Sequence, residues 1–281
     1  MAKGLAINTL TVEPRGGLCN RMRAMDGAIA LAADTGMAVR VVWKIDQSLG
    51  CPLDTLFEPI PGVAKVQQRR AFIMRRRDLV WFRRRLPLPG HDAIYLEDDI
   101  ERLIAANHDF TALSRQQAPY IRTGKRIHRP FGPARLFRLQ PPLLAEVERR
   151  EPDLRGRIGV HIRHGDHRPG NRFSPTALFA QRMAEILRDD PQTSFFLATD
   201  DAEAERQLTA EFLGRVSVRE KSSRNRSVAG AIEDAAIDLY CLARTRRLLG
   251  TTASSFSRMA AELGGQPLDF VTARTDEPLV W

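Results

Sequence analysis

The sequence predicts an α/β protein of two units, the second a doubly wound parallel sheet, and three observations carry that expectation. The chain has 281 residues, enough for two compact units of roughly 100 to 150 residues that each bury a core. Its start reads strand, glycine turn, helix, strand, the building block of a parallel sheet. From Arg157 onward, strands and helices alternate at lengths that suit crossover connections.

Taken in order, Ala6 to Val12 reads as a strand and Pro14-Arg15-Gly16-Gly17 as a turn. Leu18, Met22, Met25, Ile29 and Ala32 then fall at helical spacing, with Gly36 where a C-terminal cap belongs. Ala38 to Trp43 is the second strand. The region from Val66 to Gln140 mixes arginine clusters, an acidic YLEDDIERLI stretch and prolines, and its periodicity is weak; Glu97-Asp98-Asp99 reads as a helix start rather than a metal-binding run. The second half predicts a strand at 157–163 and a helix entered at Ser174-Pro175, where serine caps the free amides and proline suits the first helical position. A strand at 194–199, a helix from Asp201, a strand near Val216 and a helix over 228–243 follow. A strand at 246–250, a helix from about Ser254 and a strand near Leu268 complete the pattern. The segment Glu151 to Arg157 precedes the clean alternation, which sets the expected domains at 1–150 and 151–281.

Composition bounds the function classes. The chain is 43% hydrophobic and 27% charged, and no apolar run approaches the roughly 18 residues of a membrane span. The start, MAKGLAINTLTVEPRGG, has neither a continuous apolar core nor a small-residue cleavage pattern, so the expectation is a soluble protein of the cytoplasm. Cys19, Cys51 and Cys241 are too scattered for a disulfide framework or a zinc site and are expected to be buried thiols, with no metal. A net charge of +9 calls for an anionic partner: nucleotide phosphates, nucleic acid or an acidic surface.

Three stretches carry chemistry. In GVHIRHGDH, His161 and Arg163 interrupt an apolar strand and look out together at its carboxyl end, where open α/β sheets bind ligands. Arg163 suits a diphosphate and His161 a base or ribose, or Arg163 closes the turn in an ion pair with Asp166. Gly16-Gly17, between strand and helix, offers backbone amides to a phosphate or sugar, with Asn20 and Arg21 as further donors; a tight turn with solvated side chains is the alternative. In AIDLYCLARTRRLLGTTASSFSRMAAEL, a strand ending at Gly250 runs through a Thr/Ser-rich turn into a helix, so Ser254, Ser255 and Arg258 read either as anion contacts or as a helix cap. Asp238 lies in the preceding helix. In FLATDD, Asp200 or Asp201 reads as a helix cap.

The ordered set GGLCNR, HIRHGD, FLATDD and DLYCLARTRRLLGTTASSFSRMAAEL resembles the GDP-fucose-dependent fucosyltransferases. That superfamily holds α-1,2, α-1,6 and protein O-fucosyltransferases and the rhizobial nodulation enzyme. The resemblance implies a GT-B architecture, two Rossmann-like domains facing a cleft, with the donor bound mainly by the C-terminal one. It implies that Arg163 binds the donor diphosphate and acts in catalysis, that His161 lies against the nucleoside and that Asp238 recognises guanine. Ser254, Ser255 and Arg258 match further donor contacts, and Gly16, Gly17 and Asn20 match a turn facing sugar and phosphate. One departure stands out: Arg163-His164 replaces a pair of arginines.

The expected function is inverting, metal-independent transfer of fucose from GDP-fucose, a donor substrate rather than a cofactor, to a glycan hydroxyl. Glu13 and Asp166 are the nearby candidates for the base. Transfer from another nucleotide sugar and non-catalytic RNA binding are the alternatives. From Arg69 to Arg85, RRAFIMRRRDLVWFRRR sets eight arginines among Phe72, Trp81 and Phe82. It reads first as an amphipathic helix with a solvated arginine face, second as a contact for an anionic acceptor glycan and third as an RNA contact.

Overall fold

Each half of the chain folds around its own parallel sheet. The computed structural model describes residues 8–70, 88–165, 168–221, 223, 225 and 227–273. The chain divides into one unit of Met1–Gln140 with Arg226–Ile232 and another of Pro141–Asn225 with Glu233–Trp281.

In the first unit, β1 (Thr9–Pro14), β2 (Ala38–Ile45), β3 (Val63–Arg70), β4 (Ala93–Tyr95) and β5 (Pro119–Thr123) form a five-stranded sheet in the order β3-β2-β1-β5-β4. Every neighbouring pair is parallel. Leu10, Val12, Val39, Val41 and Ile121 are buried at its centre. Helix α1 (Leu18–Thr35) buries Met22, Met25, Ile29 and Leu31, while Ala24, Ala28 and Ala32 keep its buried face thin enough to pack closely. It stops at Gly36, whose φ of +74° is the left-handed cap expected there. Short helices α2 (Leu53–Leu56), α3 (Glu97–Ala105) and α4 (Pro133–Leu136) and a 3₁₀ turn at Phe110–Arg115 complete the unit. Glu97-Asp98-Asp99 does open a helix: Asp99 accepts from the Leu96 N–H at 3.0 Å.

The second unit runs α5 (Pro141–Leu154), β6 (Ile158–Ile162), α6 (Arg168–Phe173), α7 (Thr176–Asp189), β7 (Phe195–Thr199), α8 (Ala202–Glu211), β8 (Val216–Val218), α9 (Ala229–Leu242, whose first residues to Ile232 group with the first unit), β9 (Arg247–Thr251), α10 (Ser255–Gly264) and β10 (Leu268–Val271). Its parallel sheet has the order β10-β9-β6-β7-β8. Val160, Ile162, Phe179, Met183, Phe195, Leu197 and Leu249 share its core. The strands are apolar on both faces because helices cover both faces of such a sheet. All three cysteines are buried, and burial pushes the Cys241 thiol up to about 12, so it stays protonated.

Two expectations shift. The division falls at Gln140 rather than after residue 150, because α5 is one continuous helix, tied to the second unit by Glu151 beside Arg244 at 3.4 Å. Ser174 caps nothing: its Oγ donates to the Val271 carbonyl at 2.5 Å and accepts from the Thr252 N–H at 3.0 Å, while Pro175 stands at the cap position of α7. Arg69 and Arg70 close a strand, and residues 71–87 of the arginine-rich stretch lie outside the described residues. Among the described residues no helix is long and apolar enough to cross a membrane.

Candidate functional site

In the second sheet the strand order reverses between β6 and β9, so the carboxyl ends of those strands form the crevice where an open α/β sheet takes a ligand. The strand ladder pairs His161 with Gly250 and then stops. Thr251 continues it with a side chain: its Oγ1 donates to the His161 carbonyl at 3.0 Å and accepts from the Arg163 N–H at 2.9 Å. Arg163 is thereby fixed one residue beyond the strand.

Beyond Thr251 the chain turns through Thr252 and Ala253, whose φ of +58° is rare for a residue with a Cβ and is held by its surroundings. Ser254 caps α10, its Oγ accepting from the Ser257 N–H at 3.4 Å. The amides ahead of Ser257 have no partner within the helix, and the helix dipole favours an anion before them. Ser255 opens this helix and Arg258 follows one turn later, with its guanidinium 5.0 Å over the Phe270 ring. Gly250 is what lets α10 approach: a Cβ there would lie 2.8 Å from Ser257 Cβ. The close approach brings Ser257 Oγ to 2.7 Å from His161 Nδ1 and stacks Phe256 on the imidazole, centroids 4.6 Å apart. His161 is buried and held on two sides by the first turn of α10.

Arg163 pairs with Asp200, which follows β7, and Asp200 also accepts from the His164 N–H at 3.0 Å. Asp166, the partner considered from the sequence, lies outside the described residues. Asp201 is the cap of α8, accepting from the Glu203 N–H at 2.9 Å. Its other oxygen is 3.0 Å from His164 Nδ1, and His164 Nε2 is 3.0 Å from the Ser174 carbonyl. His164 thus stands where a second arginine was expected and ties three loops together.

Asp238 lies in α9, where two cations engage its carboxylate. It is 4% exposed, with Oδ1 accepting from Arg219 Nε at 2.8 Å and Oδ2 3.5 Å from Lys221 Nζ. Burial opposes the Arg219 charge, but Asp238 and Asp234 more than offset it and hold the guanidinium above the usual arginine range.

The remaining candidates belong to the first unit, at its own reversal point between β1 and β5. Gly16 has a φ of +78°, and a Cβ on it would lie 2.9 Å from Asn20 Nδ2, so the turn needs glycine. Gly17 caps α1 in extended conformation, and Asn20 Oδ1 accepts from Arg23 at 3.2 Å. Arg21 corrects the expectation of a ligand donor: it is fully buried and bonds the Gly16 carbonyl, the Lys44 carbonyl, Asp46 and Ser48, so it holds the turn. Glu13 is buried at the end of β1, with Lys44 at 2.5 Å, Arg122 at 2.7 Å and the Tyr120 hydroxyl bonded to it. Burial alone would raise its pKa, but Lys44, Tyr120 and Arg122 outweigh burial and hold it below the usual glutamate value, making it a poor base.

Sequence reasoning missed Thr251, Ser257 and Phe256, and it read Ser174 as a helix cap and Asp200 as one of two candidate caps. Thr251 and Ser257 stand in the Thr/Ser-rich stretch that drew attention. Asp200 carried no signal that separated it from Asp201 as a cap.

No family model matches the chain, and no curated protein matches its sequence significantly. Solved structures do share its fold. NodZ α-1,6-fucosyltransferase soaked with GDP-fucose superposes with a TM-score of 0.60 at 21% identity, covering 92% of each chain. A mutant of Arabidopsis thaliana FUT1 in complex with GDP gives 0.59 at 13% identity, over 94% of this chain and 70% of the other. POFUT1 in complex with GDP-fucose gives 0.58 at 10% identity, over 96% and 99%. At these identities the likeness is one of fold: two Rossmann-like units, as in the GT-B architecture.

Proposed function

We propose that the protein is a glycosyltransferase that moves fucose from GDP-fucose to a glycan hydroxyl, with inversion and without a metal. One observation carries the proposal. At the carboxyl ends of β6 and β9 stand Arg163, its N–H tied to Thr251, a turn strained at Ala253 and the amino end of a ten-residue helix, the equipment for holding a diphosphate. A sugar leaving a diphosphate builds negative charge on the departing oxygen, and groups already oriented there lower the barrier. Arg163 is the group for that oxygen, with Asp200 holding it until the phosphate competes for the guanidinium. Ser254, Ser255, Arg258 and the α10 amides take the rest of the diphosphate, and His161, locked by Ser257 and Phe256, lies against the nucleoside.

Guanine is assigned to Asp238, whose carboxylate accepts from N1 and N2 of that base as no adenine or uracil allows. Its looser contact with Lys221 through Oδ2 is the one guanine would replace. A different nucleotide sugar is the second reading, favoured by the engagement of Asp238 with Arg219 and Lys221. Glu13 is too well neutralised to take the acceptor's proton.

The test is donor turnover, read as GDP released from GDP-fucose, paired with the melting temperature of the same preparation. Arg163→Lys replaces a planar fork by a point charge and should turn over about 100-fold more slowly while remaining folded. A folded Arg163→Lys protein with near-normal turnover refutes the assignment.

A further inference from the structure

The carboxyl edge of the first sheet holds an arrangement that donor binding by the second unit leaves unused. Among the described residues around the ends of β1, β2 and β5, setting aside the Lys125–Glu101 and Arg126–Asp26 pairs, five cations, Arg15, Arg21, Arg23, Lys44 and Arg122, stand against three carboxylates, Glu13, Asp46 and Glu97. Asp46 is spent on Arg21 at 3.0 Å and Glu97 on the Gly124 N–H at 2.9 Å. Glu13 serves Lys44, Arg122 and Tyr120 together, which holds both cations beside it. Lys44 and Arg122 keep 17% and 24% of their side-chain surface exposed, enough to touch a ligand but not to be fully hydrated. Arg122 has Glu13 as its one ion-pair partner, and Arg15, half-buried just after β1, forms no ion pair, both among the described residues.

A partly buried excess of positive charge is unfavourable without an anion to share it, and this one sits at the reversal point where a doubly wound sheet takes ligands. We propose that Arg15, Lys44 and Arg122 form an anion site for the acidic group, carboxylate or sulfate, of the acceptor glycan. The identity of the occupant rests on the glycosyltransferase reading; the site itself does not. Glu13 is a positioning residue within it, setting the reach of Lys44 and Arg122, rather than a base.

The experiment follows the amide resonances of Gly16, Gly17 and Gly124 in the full chain. Sodium sulfate, sodium glucuronate, glucose and GDP are titrated in turn at ionic strength held constant with chloride. Sulfate and glucuronate should give saturable shifts and glucose none, and Arg15→Gln and Arg122→Gln should each weaken the two anions by about tenfold or more. Arg15→Gln guards against a folding artefact, since no ion pair is broken among the described residues. Absence of saturable anion shifts, equal shifts from glucose, or affinities unmoved by both substitutions would overturn the site. Shifts from GDP alone would reassign this edge to the donor. Shifts of Thr252 and Ser255 on adding GDP report the donor proposal in the same sample, so the two proposals can fail separately.

Discussion

Replacing Thr251 by valine keeps the shape of the side chain and removes the hydroxyl that joins β6 to the turn before α10. The structure sets the cost. Thr251 is fully buried, and its Oγ1 makes two hydrogen bonds, to the His161 carbonyl and from the Arg163 N–H, at 3.0 and 2.9 Å. Each lost bond is worth about 1 kcal/mol, and the backbone groups left unpaired add a desolvation penalty, so Thr251→Val should cost about 2–4 kcal/mol. That lowers the melting temperature by roughly 3–7 °C for a protein of this size. Thr251→Ser is the control: it keeps the hydroxyl and loses one methyl, about 1 kcal/mol. Thermal unfolding of both variants, with calorimetric titration of GDP, reads the result. In a pure packing account valine is harmless and serine is the costly change. A Thr251→Val protein as stable as wild type, with serine worse, refutes the argument that a hydroxyl fixes Arg163.

Two further outcomes follow from the buried charges. Asp238→Asn takes one carboxylate from Arg219 and Lys221 but leaves them Asp234 and Glu205; the loss of its charged hydrogen bonds should lower stability by about 1–3 kcal/mol, and calorimetry should show weaker GDP binding if the carboxylate reads guanine. Unchanged GDP affinity in a destabilised protein would make Asp238 a structural residue only. Glu13→Gln tests the first unit through pH. Because the folded pKa of Glu13 lies below the usual value near 4.5, its stabilisation is fully present above that value and is lost as pH falls through the folded pKa. Denaturant unfolding should therefore show a gap between Glu13→Gln and wild type at neutral pH that closes in acid; a gap that stays constant would contradict the pairing.

The second sheet was legible because its strands are buried on both faces and each is followed by a capped helix, so apolar runs and turn residues mark every element. The middle of the first unit was not. The side chains of β3 are nearly all exposed, and β4 has three residues, so neither shows the period of a strand; each is held by pairing with β2 or β5. At the candidate site, Arg163, His161 and Ser254 drew attention because a charge in an apolar strand and serines before a helix are local oddities. Arg21 was misread for a tertiary reason: Lys44 and Asp46 reach it from the neighbouring strand and its end, and nothing near Arg21 in sequence announces them. Asp200 likewise gains its role from lying beside the next strand's arginine, while Asp201 takes the cap that either could have filled.

The central claim is a guanosine diphosphate donor held at the end of β6, and the shift in melting temperature with GDP, GDP-fucose, UDP and ADP tests it most directly. A ligand at about 100 times its dissociation constant adds roughly 2.7 kcal/mol of stability. GDP and GDP-fucose should raise the melting temperature of the wild-type protein, and UDP and ADP should leave it unchanged. An equal rise with all three diphosphates would remove the guanine assignment, and no rise with any of them would contradict the donor site itself.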